Sequence, residues 1–135
     1  MRRNITVKQL LASFVALIVL AVASMTLNTA RAHGNNQPEH GGILQLVGDM
    51  SFELVPAVDH VELWVEDDGE EVTSADLAAK LTIVDGGAKS EVALTPAGGN
   101  KFEAKGVKIA KGAKVTALLT LKDKQSKIAA NFTVK

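Results

Sequence analysis

The chain has 135 residues, no cysteine, and 15 basic against 15 acidic side chains, so its formal net charge is zero at pH 7. This length allows one domain and hardly two. Without cysteine there are no disulfides, and the hydrophobic core alone must hold the fold. One tryptophan and no tyrosine leave almost no platform for stacking bases, which argues against a nucleic-acid-binding protein.

The first 32 residues have the pattern of a cleavable export signal. Three basic residues lie within the first eight positions, and an apolar run of 14 residues follows at 10–23. A membrane-spanning helix needs about 20 residues, whereas the small residues Ala30 and Ala32 suit a signal-peptidase site. We therefore predict a periplasmic protein that begins at His33 and has no stable membrane insertion after cleavage. An uncleaved anchor and a cut after Ala23 are the alternatives.

Charge is divided along the predicted mature chain. Removal of the leader leaves 11 lysines against 15 acids, a net charge of −4. Residues 33–79 hold 11 acids and no lysine or arginine, whereas residues 80–135 hold 11 lysines and 4 acids. The acidic half favours cations as partners over nucleic acid.

From Ile43 onward, apolar and polar residues alternate with the period of two that is typical of half-buried strands. Turn signals such as Asp67-Asp68-Gly69 separate the runs. Residues 73–80 are the one place where a short helix fits the pattern. We predict an all-β domain over residues 43–135, an antiparallel immunoglobulin-like β-sandwich of seven to eight short strands, with a small barrel as the alternative. The predicted runs are 51–55, 60–65, 81–83, 92–94, 102–104, 107–109, 115–121 and 128–134.

The segment between the leader and the first strand, residues 33–42 (HGNNQPEHGG), is predicted to be a flexible His/Gly-rich arm. After cleavage, the free amine and the Nδ1 atom of His33 could chelate one ion, an arrangement that favours Cu(II). His40 or His60 could then complete a three-nitrogen site. We predict one Cu(II) or Zn(II) ion bound by His33, His40 and His60. The alternative is a polar tail that binds no metal.

The remaining polar features point away from catalysis. Residues 59–71 contain seven carboxylates in thirteen positions, without the spacing of an EF-hand, and are predicted to form a solvated strand edge and turn. Trp64 lies on the strand face opposite Val61 and Leu63, where it would pack under the arm or against the second sheet. Because nucleophile motifs, HExxH and phosphate loops are all missing from the sequence, we predict that the protein is not an enzyme.

Four segments together resemble a known family: HGG at 40–42, SFELV at 51–55, VELWVEDDGEEV at 61–72 and LTPAGGNKFEAKG at 94–106. They resemble small exported proteobacterial proteins and the extra domain of periplasmic adaptor subunits in cobalt–zinc–cadmium-type heavy-metal efflux pumps. The resemblance covers most of residues 40–134.

The resemblance implies a periplasmic β-sandwich that acts as an accessory protein in heavy-metal handling or efflux, with an envelope efflux complex as a partner. Residue by residue, it carries over only the motif His40-Gly41-Gly42. The chain lacks the helical hairpin and lipoyl-like half of an adaptor, so it would not be an adaptor by itself. The alternative function is a non-catalytic envelope interaction or structural module without a metal site.

Overall fold

The computed structural model of this chain describes residues 36–135, and the predicted leader and His33 lie outside them. About 58% of the described residues lie in strands, so the all-β prediction is confirmed. Within the same range, no helix is long and apolar enough to cross a membrane. The strands are β1 (Ile43–Val47), β2 (Met50–Pro56), β3 (His60–Asp67), β4 (Glu70–Glu71), β5 (Ala78–Asp85), β6 (Ala88–Pro96), β7 (Lys101–Lys105), β8 (Lys114–Thr120) and β9 (Lys127–Thr133).

The strands form one continuous antiparallel sheet. Its order is β1-β2-β3-β7-β6-β5-β8-β9, with the short β4 beside β3. The first part of β6 pairs with β5, and only its last residues, Thr95 and Pro96, pair with β7. In this way β6 turns the corner between the two halves of the sheet. The end strands β1 and β9 approach each other without pairing, so the sheet is nearly closed into a barrel.

The core follows directly from the alternation in the sequence. Side chains in a strand point alternately to opposite faces, so one face of β2 and β3 supplies the barrel interior and the other faces outward. The largest fully buried side chains on these and neighbouring strands are Phe52, Phe102, Leu54, Leu63, Leu81, Leu119, Val61, Val65 and Val115. The outward face of β2 and β3 carries the polar residues of the same strands, and the candidate site lies there.

The predicted turn at Asp67-Asp68-Gly69 is confirmed. Asp67 pairs with Glu70 across a two-residue loop, and Asp68 and Gly69 have φ angles of 52° and 79°. Positive φ at both central residues is the type I′ geometry, whose twist suits a hairpin. Aspartate and glycine are among the residues that adopt it at low cost.

One local prediction is wrong and a second is confirmed only in part. Residues 107–109 form no strand, because the chain turns away at Gly106, whose N–H donates to the carbonyl of Asp59 at 2.7 Å. The apolar Ile109 in this irregular stretch is nevertheless buried. The helical pattern at 73–80 yields only a 3-10 turn at Ser74–Asp76, because Ala79 alternates inward with Leu81 and draws residues 78–80 into β5.

Candidate functional site

The outward faces of β2, β3 and β7 bring three side chains side by side. Glu53 on β2 lies directly opposite Trp64 on β3, and Trp64 lies opposite Lys101 on β7. The described end of the predicted arm, residues 36–42, crosses this face. The contacts between the arm and these strands define the candidate site.

Glu53 is an almost fully buried carboxylate, with 4% of its surface exposed, that binds the arm. Its Oε1 atom accepts hydrogen bonds from the backbone N–H groups of His40 and Gly42, each at 2.8 Å. Its Oε2 atom accepts from the N–H of Glu39 at 3.0 Å and from the Nδ1 atom of His40 at 2.9 Å. A single carboxylate thus satisfies three backbone donors and one ring donor, and it holds residues 39–42 against the sheet.

These hydrogen bonds decide the charge state of Glu53. Burial alone would raise its pKa, but the donors from Gly42, the His40 ring and Glu39 outweigh burial and lower the pKa of Glu53 below 4.5. A carboxylate that accepts several hydrogen bonds is stabilised in its ionised form. The site therefore contains a buried negative charge at neutral pH.

His40 is fixed by a second contact. Its imidazole stacks on Trp64 with ring centroids 3.6 Å apart and planes 7° from parallel. The Nζ atom of Lys101 lies 5.5 Å from the centroid of the Trp64 ring, within the range of a cation–π interaction. The indole Nε1 atom donates to Glu62 at 3.0 Å. Of the two predicted positions for Trp64, the structure thus shows the one under the arm.

Each of the two glycines of the HGG segment is required for a different structural reason. Gly41 has a φ angle of +75°, the left-handed region that side chains with a Cβ atom disfavour. At Gly42, a Cβ atom would lie 2.4 Å from the carbonyl oxygen of Leu54 and 2.8 Å from a methyl carbon of Val55. The motif therefore combines a ring that stacks, a residue that turns, and a residue without a side chain that lets the arm touch β2.

The hydrogen bond to Glu53 also determines the tautomer of neutral His40. An ionised carboxylate is only an acceptor, so the proton must lie on Nδ1. The lone pair of the neutral ring is then on Nε2, and this atom makes no hydrogen bond with any described residue. The side chain is 32% exposed. Metal-bound histidines are commonly oriented in this way, by a carboxylate on the nitrogen that does not bind the metal.

His60, at the start of β3, is held differently. Its Nδ1 atom lies 2.7 Å from Asp59 and its Nε2 atom 3.4 Å from Glu62. The hydrogen bond with Asp59, together with the charge of Glu62, raises the pKa of His60 above 6.5. Both nitrogens therefore face carboxylates that favour the protonated ring, which cannot bind a metal.

Of the predicted metal ligands, the two that lie within residues 36–135, His40 and His60, are not brought into one cluster. Glu62 and Trp64 lie between His40 and His60, since His60 contacts Glu62 and His40 stacks on Trp64. No group of three or more His, Cys, Asp or Glu residues within 36–135 is placed to hold a metal ion. His33 lies outside the described residues, so its part in the site stays a prediction.

The hydrogen bonds from residues 39–42 to Glu53 are here called the clamp. A small cavity of about 20 Å³ lies beside it, lined by Gln37, Glu39, His40, Ser51, Glu53 and Glu66 among others. This volume admits about one water molecule. Burial and the nearby charge of Glu39 raise the pKa of Glu66 above 4.5, while a hydrogen bond from Ser51 lowers it. The surroundings of His40 are therefore acidic and polar.

The acidic segment 59–71 is partly neutralised by the basic half of the chain. Lys101 lies 3.8 Å from Glu62 of this segment. Lys101 and Lys105 also lie 3.8 Å and 3.9 Å from Glu103, which is outside the segment. Ion pairs of this kind at a surface contribute little stability individually. In the β3–β4 hairpin Glu66 is half-buried, whereas Asp67, Asp68, Glu70 and Glu71 are exposed, as the predicted solvated edge and turn require.

Sequence reasoning identified His40 but missed Glu53, its main partner. A glutamate at an outward strand position is normal, so the alternation of β2 contains no sign that this one is buried. The arm that buries it comes from 11 to 14 residues earlier in the chain. The available signal was indirect: Gly41 and Gly42 precede β1 and allow a close approach of the backbone.

Comparison of the chain with protein-family models, curated proteins and solved structures finds no match. The proposals that follow therefore depend on the sequence and on the contacts described above.

We expect the hydrogen bonds to Glu53 to be insensitive to pH above 4.5. The lowered pKa of Glu53 means that its contribution to stability is fully present above the unfolded-state pKa and is lost as pH falls through the folded-state value. The amide resonances of Glu39, His40 and Gly42 in ¹H–¹⁵N NMR should therefore report the loss of these hydrogen bonds only below pH 4.5. Glu53→Gln is the control, and it should abolish this transition. A transition of the Gly42 amide above that pH would contradict the ionised clamp.

Proposed function

We propose that this chain is an exported, periplasmic accessory protein of heavy-metal handling that binds one divalent ion, Cu(II) or Zn(II), with His40 as its ordered ligand. The observation that carries the proposal is the hydrogen bond from Nδ1 of His40 to the buried carboxylate of Glu53, at 2.9 Å. It fixes the tautomer in which Nε2 can bind a metal, and the stack on Trp64 limits rotation of the ring.

The second part of the proposed site is the amine and imidazole of His33, made available by cleavage after Ala32. His33 is three positions before Asn36, a reach of about 10 Å for an extended chain. Asn36 and His40 line two depressions that share Ser51, so these two residues lie close together on the surface. Two nitrogens from His33 and one from His40 would make a three-nitrogen site that suits Cu(II).

His60 is left out of the proposed ligand set. Both of its ring nitrogens face carboxylates and its pKa is raised, so binding a metal would require loss of a stabilised proton. The acidic surroundings of His40, with Glu39 and Glu66 at the same cavity, favour the approach of a cation. The proposal retains the predicted immunoglobulin-like sandwich, in which the two halves of the continuous sheet would be the two layers and β6 the strand that passes from one to the other.

Native mass spectrometry of the protein purified from the periplasm, with Cu(II) or Zn(II) titrated in, tests this proposal. We expect the measured mass to be that of a chain that begins at His33, and we expect this chain to bind one ion. The variants His33→Ala and His40→Phe should each weaken binding, and His60→Ala should not. Phenylalanine keeps a flat ring that can stack on Trp64 while it removes both nitrogens. A chain that begins at His33 and stays metal-free at micromolar ion would refute the proposal.

The pH dependence of the affinity provides a further check. Imidazole and amine nitrogens must lose their protons to bind a metal, so affinity should fall as pH drops below about 6.5. An affinity that stays constant between about pH 5 and pH 8 would instead indicate carboxylate ligands. Quenching of Trp64 fluorescence by Cu(II) is a convenient readout, because Trp64 is the only tryptophan and stacks on His40.

The second candidate function is an envelope interaction module without a metal site. It is favoured by the lack of a three-residue ligand cluster in the described part of the chain, and by the use of His40 as a structural clamp. It predicts metal affinity no higher than that of an unfolded peptide with the same histidines. It also predicts partner capture that weakens with salt, because the chain is divided into acidic and basic halves.

A further inference from the structure

A second concave site lies at the end of the barrel where the sheet is not closed. The seam between β1 and β9 contains no strand pairing. At one end of this seam is a cavity of about 580 Å³, formed by the β1–β2 turn, the segment from β3 to β5, and the β8–β9 turn. This volume is within the range of small-molecule binding sites, which are often found at the mouths of β-barrels.

The walls of this cavity, here called the seam pocket, are aliphatic. Five side chains that pack against the core but remain partly exposed line it: Val47, Val72, Leu77, Leu121 and Ile128. Met50, which is 7% exposed, also lines the pocket. The seam leaves these side chains only partly covered at one end of the barrel, so an apolar ligand could bury them further.

The rim of the seam pocket is acidic. Asp49, Asp67 and Asp76 lie around it with a single lysine, Lys122. Lys122 lies 3.7 Å from Asp76, and both side chains are exposed. The carboxylates of Asp49 and Asp67 make no hydrogen bond or ion pair with any residue in 36–135. The rim therefore offers two unneutralised negative charges above an aliphatic wall.

From this combination we infer that the seam pocket binds a small amphiphile with an aliphatic body and a cationic ammonium head. The aliphatic wall accommodates the body, and Asp49 and Asp67 complement the positive head. An anionic amphiphile would place like charges together at the rim, which disfavours it. The inference is independent of the metal proposal, because the pocket shares no residue with the clamp around Glu53.

Titration of the ¹⁵N-labelled exported protein with octyltrimethylammonium, below its micelle concentration, tests the inference. We expect saturable amide shifts confined to residues 47–50, 67, 72–77 and 121–128. Octyl sulfate, with the same chain and an anionic head, and tetramethylammonium, with the head alone, should each bind at least about tenfold more weakly.

Paired variants separate charge from fold. Asp49→Asn with Asp67→Asn should remove most of the preference for the cationic probe, because both positions are exposed and the change keeps the side-chain shape. Asp85→Asn, an exposed carboxylate at the far end of β5, should leave binding unchanged. The inference is overturned if octyltrimethylammonium gives no saturable shift, if octyl sulfate binds as tightly, or if the double variant keeps the full preference.

Discussion

Replacing Glu53 with alanine is expected to lower the free energy of unfolding by about 3 kcal/mol and to release residues 39–42 from the sheet. Glu53 accepts three backbone hydrogen bonds and one from the His40 ring, all at 2.8 to 3.0 Å. A hydrogen bond to a charged group contributes about 1.5–3 kcal/mol. The four do not add up fully, because the released arm can turn its N–H groups to water.

Urea unfolding followed by Trp64 fluorescence measures this change, since Trp64 is the only tryptophan and lies under the arm. Glu103→Ala is the matched control on the same outward face. Glu103 is a partly exposed carboxylate held only by lysine ion pairs, so its loss should cost less than about 1 kcal/mol. The clamp would be contradicted if the free energy of unfolding of Glu53→Ala lay within about 0.5 kcal/mol of that of the parent protein and the Gly42 amide were still protected from exchange.

The strands were predictable because their burial follows the sequence period. Val61, Leu63 and Val65 are fully buried while His60, Glu62 and Trp64 between them are not, and such alternation indicates a strand whatever its neighbours are. The closing of the sheet was not predictable in this way. It depends on β6 pairing with β5 along most of its length and with β7 at its end, and a period of two contains no information about the partner of a strand.

The candidate site was predictable only in part, for a related reason. His40 was recognised because histidine is rare in this chain and because its imidazole ring commonly binds metal ions. Its role depends on Glu53 and Trp64, residues of two other elements that only the folded chain places beside it. All four segments on which the predicted resemblance depends meet in this one set of contacts: His40 from HGG, Glu53 from SFELV, Trp64 from VELWVEDDGEEV and Lys101 from LTPAGGNKFEAKG.

This meeting changes what the HGG motif can be taken to mean. Docking of the arm explains all three residues of the motif. The ring of His40 stacks on Trp64, Gly41 has a positive φ angle, and Gly42 has no room for a side chain. The motif is therefore structural in the first place. The metal proposal depends on the Nε2 atom of His40, which the clamp does not use, and on His33.

Replacing Gly42 with alanine is expected to have an effect as large as Glu53→Ala, about 3 kcal/mol. The new Cβ atom would lie 2.4 Å from the carbonyl oxygen of Leu54. That oxygen belongs to β2, which is paired with β1 on one side and β3 on the other, so it has little freedom to move. Gly42 cannot move away either without loss of its hydrogen bond to Glu53.

Gly41→Ala is the matched control for this substitution. Gly41 has positive φ but nothing within 4 Å of its added Cβ atom, so the cost should be the backbone strain alone, about 1 kcal/mol. Urea unfolding of both variants gives their free energies of unfolding, and the difference separates the cost of backbone strain from the cost of the steric clash. If Gly41→Ala cost as much as Gly42→Ala, the close approach to Leu54 would not be what holds the arm.

The double variant Gly42→Ala with Glu53→Ala shows whether the two residues act in one structure. If both single changes release the same arm, the second adds little to the first, and the double variant should also lose about 3 kcal/mol. Full additivity, about 6 kcal/mol, would mean that Gly42 and Glu53 stabilise separate parts of the protein.

Gly42→Ala also leaves both nitrogens of His40 in place while it removes their orientation. Weaker Cu(II) binding in this variant would therefore show that the clamp, and not the mere presence of a histidine, prepares the ligand.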